Sequence, residues 1–337
     1  MAGLKEVAHL AGVSVATVSR VVNNAPNIRD ETRLQVRKAM KTLNYRPSRI
    51  AKRLRSKAVS GNMVGVLVPD IRNPFYIDVL AGIEDYLYGQ KYLLIMCNFS
   101  QDAEKEERYL DALVSESVDG LIVAPVHEED EKIKALENEG IPYVCIDRGL
   151  RDTNADVVLV DNEKGAYEAV RFLLRQGYRR IAYLSGLRQI PTSRQRGAGY
   201  TRALAEHGLP FSEDLVKYSD SSMQSGLQLA TELLAQATRP DAIFTGNNLI
   251  TLGALEAIKK AGLKIPDDIG LIGFDDMPFS PSLNPPLTAV CQPAYEIGRR
   301  AAELLHQRIL EPDRPRVKIL LDTKLNVRES TRLTGHA

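Results

Sequence analysis

LKEVAHLAGVSVATVSRVVNN, running from Leu4 to Asn24, carries two short helical patterns separated by a glycine. Leu4, Val7, Ala8 and Ala11 fall at i, i+3, i+4 and i+7, which is one face of a helix. Gly12 interrupts the pattern. Ser14 stands where a second helix needs an N-cap, because its hydroxyl can accept from a free backbone N–H. That helix is expected over Val15 to Val22, with Val18 and Val22 one turn apart on the inward side. Two short helices joined by a tight turn form a helix-turn-helix, whose second helix is shaped to enter a DNA major groove. Val15, Ala16, Ser19 and Arg20 then face outward. Ser14, Thr17 and Asn23 complete the candidate DNA contacts, and Thr17 lies near the helix start, where a phosphate is readily held.

An amphipathic hairpin of this size also occurs in proteins that bind no DNA, so the flanking residues matter. Asp30 can cap a third helix whose Val36, Ala39, Met40 and Leu43 repeat the same spacing. After it comes YRPSRIAKRL, Tyr45 to Leu54. LKEVAHLAGVSVATVSRVVN and YRPSRIAKRL, in this order, resemble the lactose-repressor (LacI/GalR) family of bacterial transcription regulators, and the resemblance extends through the rest of the chain. It implies a headpiece over residues 1–46 and a hinge helix with linker over 47–62. Ser48, Ala51 and Lys52 would touch DNA there. Leu54 would enter the minor groove as a wedge beside its dimer mate. So short a helix is marginal in water, and is expected to order against DNA and a partner copy.

The charge distribution agrees. The chain has 44 Lys and Arg against 43 Asp and Glu, yet Met1 to Ser60 holds 13 basic and 3 acidic residues, leaving 31 and 40 elsewhere. A basic module on a mildly acidic body suits nucleic-acid binding. Cys97, Cys145 and Cys291 are scattered and form no CxxC pair. They read as buried free thiols, with no disulfide framework and no metal site. No leader sequence or membrane-length apolar run is visible, so a cytoplasmic protein is expected.

From Met63 onward, strands and helices alternate. Strands are expected at 63–69, 92–97, 120–124 and 142–146. Helices are expected at 75–90, with Ile77, Leu80, Ala81 and Ile83 inward, and at 103–113 and 131–138. A second set follows, with strands at 157–160, 180–184, 215–218, 242–244 and 270–272. Its helices are expected at 164–176, 193–207, 226–234 and 249–260. A strand at 289–292, a helix at 295–310 and a strand at 317–321 close the chain. Near-continuous apolar strands alternating with helices argue for two doubly wound parallel sheets. The expected fold is therefore an all-α headpiece plus an α/β two-lobed body, like that of periplasmic binding proteins, over 63–337. The resemblance makes each lobe discontinuous: about 63–161 plus 293–322, and about 162–292 plus 323–337.

Ligands of such lobes bind at the carboxyl ends of the strands. Four places there carry suitable groups. Phe75 and Tyr76 open a helix with two aromatic rings. Thr192 and Arg196 lie at another helix start, where free N–H groups and arginines can hold an anion or hydroxyls. Asp275 follows a strand and can accept from hydroxyls. Arg148 and Asn247 sit at two more strand exits. The resemblance favours Arg196 over Arg194 and assigns Asp275 to the effector. It also marks departures. Many relatives carry an Asp at one of Asn247 and Asn248. Ser221, a further candidate contact to the effector, stands where several have an aromatic, and Ile190 and Pro191 stand where others are polar.

No nucleophile elbow, P-loop, dinucleotide fingerprint or metal-spaced cluster occurs, so an enzyme is disfavoured and no cofactor is expected. A periplasmic sugar-binding protein would share the body but not the helix-turn-helix. The expectation is a repressor-type regulator, a homodimer on palindromic double-stranded DNA. A sugar, sugar acid or sugar phosphate would be its effector.

Overall fold

The computed structural model describes residues 4–22, 28–43, 62–153 and 155–331. The chain divides into two units, Met1–Gly61 and Asn62–Ala337. In the first, α1 is Leu4–Ala11, α2 Val15–Val22 and α3 Asp30–Thr42. Gly12 turns the chain at φ +65°, a conformation that costs glycine nothing because it has no Cβ. The Ser14 hydroxyl accepts from the Thr17 N–H at 3.1 Å, making the expected cap. Val7, Ala8, Val18, Val21, Val36 and Ala39 form the core. Val21 joins Val18 on the inward side of α2, and the side chain of Val22, which the sequence also places inward, lies outside the described residues. Asp30 lies within the first turn of α3 rather than before it, where its charge still favours the helix N-terminus.

The second unit contains two six-stranded sheets. Lobe 1 holds β1 (Met63–Val68), α4 (Pro74–Gly89), β2 (Leu93–Asn98), α5 (Ala103–Ser115), β3 (Gly120–Val123), α6 (Glu131–Ala135), β4 (Tyr143–Ile146) and β5 (Asp156–Val160). Lobe 2 holds α7 (Asn162–Arg175), β6 (Ile181–Ser185), α8 (Pro191–Glu206), β7 (Val216–Tyr218), α9 (Met223–Leu234), β8 (Ala242–Thr245), α10 (Asn248–Lys260), β9 (Gly270–Phe274) and β10 (Thr288–Cys291). The chain then returns to lobe 1 with α11 (Ala294–Leu310) and β11 (Lys318–Leu321), and ends in lobe 2 with β12 (Lys324–Asn326). The strand orders are β11-β5-β4-β3-β1-β2 and β12-β10-β9-β8-β6-β7.

Three results differ from the sequence reading. The second sheet is not wholly parallel, because β12 pairs antiparallel with β10. Only two residues separate β11 from β12, too few for the crossover a parallel partner needs. The inward face of α4 is Phe75, Tyr76, Val79, Gly82, Ile83 and Leu87, whereas Ile77 is 52 % exposed and Ala81 is exposed. The helix turns its glycine to α11, where a Cβ on Gly82 would lie 2.0 Å from the Tyr295 carbonyl oxygen. Of the cysteines only Cys145 is buried; Cys97 and Cys291 are partly exposed.

Apolar clusters cover both faces of each sheet. Lobe 1 also buries an ion pair. Arg308 Nε donates to Asp156 Oδ2 at 3.0 Å, and its Nη atoms donate to the carbonyls of Pro312 and Pro315 at 2.9 and 3.0 Å. A lone buried charge is costly, and this network satisfies both partners.

Candidate functional site

The carboxyl ends of both sheets meet at one cavity. All eight effector candidates line it: Phe75, Tyr76, Arg148, Thr192, Arg196, Ser221, Asn247 and Asp275. Its volume is about 60 Å³, room for a few waters.

On the lobe 1 wall, Asp147 follows β4. It accepts from the Tyr76 hydroxyl at 2.9 Å and from Arg148 Nε at 3.2 Å. Arg148 Nη1 donates onward to Gln101 Oε1 at 3.1 Å and to the Pro125 carbonyl at 3.2 Å. Burial, with Asp147 beside it, pushes the Tyr76 hydroxyl well above its usual pKa, so it remains a donor. Asn73 caps α4, accepting from the Phe75 N–H at 3.0 Å.

On the lobe 2 wall, Arg196 projects from the second turn of α8. Its guanidinium lies 3.7 Å from the Phe274 ring centroid. Its Nε donates to Asn162 Oδ1 at 2.8 Å, and Nη1 donates to the Gly246 carbonyl. Asp275 accepts from the Gln292 amide. Burial raises its pKa, against the opposing pull of Arg196, Gln292 and Asn73. Ile190, at the N-cap of α8, offers no side-chain acceptor. The first N–H groups of that helix, at Thr192 and Ser193, thus start at the cavity wall without a side-chain cap.

Some candidates are already occupied. Asn247 caps α10 through the Ile250 N–H at 2.8 Å and donates to the Ser221 carbonyl at 3.2 Å. That leaves one amide hydrogen for a ligand. Asp70, Gln101, Asp220 and Gln292 also line the cavity and were missed from sequence. Each lies within a few residues of a strand exit, the same signal that exposed Asp275. Among the described residues, the contacts that join the lobes across the mouth include Asn248 Nδ2 donating to Asn73 Oδ1 at 3.0 Å, Asn73 bonding to Asp275, and Arg194 paired with Glu128. Among the described residues, Gln292 Oε1 and Asn248 Oδ1 are buried without a donor.

The headpiece offers a second polar surface. Val15, Ala16 and Arg20 are exposed on α2, and Thr17 and Ser19 half-buried. The Ser14 hydroxyl is occupied by its cap. Asn23, Ser48, Ala51, Lys52 and Leu54 lie outside the described residues.

Residues 3–48 match the bacterial regulatory proteins of the lacI family. Residues 61–329 match the periplasmic binding proteins and sugar binding domain of that family. The chain belongs to the LacI family. It is 35 % identical over 333 residues to the HTH-type transcriptional repressor PurR of Vibrio campbellii, covering 98 % of this chain and 99 % of that one. Among solved structures, the regulator CelR in complex with cellobiose is 31 % identical with a TM-score of 0.74, covering 98 % and 100 % of the two chains. A LacI family regulator from Enterococcus faecium with bound ribose is 32 % identical with a TM-score of 0.73, covering 80 % and 98 %. As a LacI-family member the chain is a DNA-binding transcriptional regulator and not an enzyme. No helix among the described residues is long and apolar enough to cross a membrane.

Proposed function

We propose that this regulator is a cytoplasmic repressor whose operator affinity is set by a neutral, hydroxyl-rich carbohydrate held between the lobes. The observation that carries the ligand class is the charge of the cavity wall. Asp70, Asp147, Asp220 and Asp275 line it with Arg148 and Arg196, and Arg72, outside the lining, pairs with Asp70 at 2.8 Å, which leaves carboxylates in excess. Asp220 stays ionised: burial raises its pKa, but hydrogen bonds from Ser222 and Ser225 outweigh that and hold it low. An acidic wall disfavours a sugar acid or sugar phosphate. It suits hydroxyls, which donate to carboxylates and accept from guanidinium and backbone N–H groups. The cellobiose and ribose named for two similar structures are ligands of this class.

Effector contacts at Phe75, Tyr76, Arg148, Thr192, Arg196, Ser221, Asn247 and Asp275 would favour one relative orientation of the lobes, a population shift. In a homodimer that shift reaches the hinge at 47–62 and the headpieces at 1–46 on a palindromic operator. Exposed Ile77, Tyr88, Leu93 and Met96 on α4 and edge strand β2 support a self-association surface. Arg20 reads guanine, and Leu54 wedges the minor groove.

A thermal-shift series with ribose, cellobiose, gluconate and glucose 6-phosphate tests the ligand class. A neutral sugar at 100 times its dissociation constant adds about 2.7 kcal/mol of stability. Stabilisation by the two anions alone would reverse the reading. For the DNA side, Arg20→Ala should cost about 1–3 kcal/mol on the cognate duplex. Equal loss on random DNA would reduce Arg20 to a phosphate contact.

A further inference from the structure

On the outer side of α8, a second cavity of about 550 Å³ opens between that helix and β7, the edge strand of lobe 2. That volume is typical of a small-molecule site, for which about 300–1,000 Å³ is usual. Its lining holds three arginines, Arg188, Arg194 and Arg202, and no carboxylate, with Arg194 and Arg202 paired to glutamates outside it. The same wall carries two partly exposed rings, Phe211 at 49 % and Tyr218 at 41 % exposure. The Arg188 guanidinium lies 4.3 Å from the Tyr218 ring centroid. It makes no hydrogen bond or ion pair among the described residues. Arg202 is held by Glu163. Arg194 pairs with Glu128 of lobe 1, so it is shared between this groove and the contact that joins the lobes. Ser193 lines both cavities.

We infer that this groove binds a small organic anion with a flat aromatic ring, an aryl carboxylate or aryl phosphate, in competition with the Glu128–Arg194 contact. Arg188 supplies a charge without a carboxylate partner to pair with the anion, and Phe211, with the edge of the Tyr218 ring that Arg188 covers, supplies apolar surface for the ring of the ligand. Each part is weak alone: an exposed ion pair is screened, and an exposed ring gains little. A ligand carrying both features on one rigid frame uses both at once. Because Arg194 can turn to the anion or to Glu128, occupancy of the groove loosens one link between the lobes. The inference does not depend on what occupies the cleft.

The probe is 2-naphthoate, compared with 2-naphthol (ring alone) and acetate (charge alone), in ligand-observed NMR titrations of the full chain. Naphthoate should bind saturably at about 1 mM or below, with the other two at least about tenfold weaker. Arg188→Ala and Tyr218→Ser should each weaken naphthoate by about fivefold, and Arg196→Ala in the cleft should leave it unchanged. Glu128→Gln should tighten it, since Arg194 is released. All four variants change exposed or cleft side chains, and their thermal melts confirm folding. Naphthoate no tighter than naphthol, or insensitive to both groove variants, or lost in Arg196→Ala, overturns the site. An unchanged affinity in Glu128→Gln overturns the competition.

Discussion

In lobe 1, Asp147 follows β4 at φ +61°; in lobe 2, Asp275 follows β9 at φ +74°. Each strand is third in its sheet, counted from the returning C-terminal strand. Both lobes also start a helix at the cavity with proline, Pro74 and Pro191, and place a glycine eight residues on, Gly82 and Gly199. Those glycines press α4 against α11 and α8 against α7. A Cβ would meet backbone oxygen at 2.0 and 2.2 Å. The plan is repeated, but its polar groups are used differently. In lobe 1, Asp147 has Arg148 and Tyr76, and α4 has its Asn73 cap. In lobe 2, α8 starts without a side-chain cap, and the amide that holds Asp275 has an orphaned oxygen. One wall satisfies itself, and the other retains unused donors and acceptors for a ligand.

The largest expected effect lies away from the cavity, where the asymmetry reverses into stability. Arg308→Ala strands Asp156, which is fully buried, and should cost about 3–5 kcal/mol in urea unfolding. Its nearest analogue in lobe 2, Arg328 on Asp276 at 2.7 Å, is partly exposed, so Arg328→Ala should cost less. Equal losses would mean that burial does not distinguish the two pairs.

Next comes the cavity itself. Asp275→Asn should weaken the effector by about 1.5–3 kcal/mol, the usual value of a hydrogen bond to a charged group. Asp147→Asn should weaken it less, because that carboxylate is already committed to Arg148. Calorimetry on both variants with the sugar found by thermal shift decides, and a larger effect at Asp147 would make lobe 1 the recognising wall.

This asymmetry was only half legible in the sequence. A polar residue after an apolar strand is conspicuous, which is why Asp275, Arg148 and Asn247 could be named. The partners that decide their roles could not. Asn73 and Asn162 are ordinary polar residues, and they meet Asn248 and Arg196 through tertiary contacts between segments distant in sequence. The strand and helix alternation was readable because burial on both faces leaves continuous apolar runs. The face of α4 was misassigned because its closest contact is Gly82, which has no side chain and hence no hydropathy signal. Strand β12 is three residues long and antiparallel, too short for any periodicity to register.

The repeated glycines provide a smaller test. Gly82→Ala and Gly199→Ala each push a methyl into the facing helix backbone and should cost about 1–3 kcal/mol, the range for overpacking. Similar costs at both sites would support one plan built twice. A neutral result at either would show that helix pair free to slide.

The smallest effect per measured step is the pH slope that Glu106 gives to lobe 1. Glu106, in α5, is 1 % exposed, and its carboxylate accepts from the Val126 N–H at 3.3 Å. Burial and the neighbouring Asp130 push its pKa up to about 8, against the pull of that N–H and of Arg148. The unfolded chain releases this proton near 4.5, the ordinary value. The contribution to stability is therefore complete below that pH and is lost as pH rises to about 8. Across the window one extra proton is held by the folded state, so stability falls by about 1.4 kcal/mol per pH unit. Asp275 shifts in the same direction, so the measurement belongs in an Asp275→Asn background. There, Glu106→Gln keeps the acceptor for Val126 but removes the titration, and its profile should be flatter. Helix α9 occupies the matching place in lobe 2 and carries Gly226 as its fourth residue, where α5 carries Glu106. Hydrogen exchange should therefore lose protection with rising pH around 103–130 before it does in lobe 2. Parallel unfolding profiles with and without the Glu106→Gln substitution, between about pH 5 and about 8, would remove Glu106 as the source of the slope.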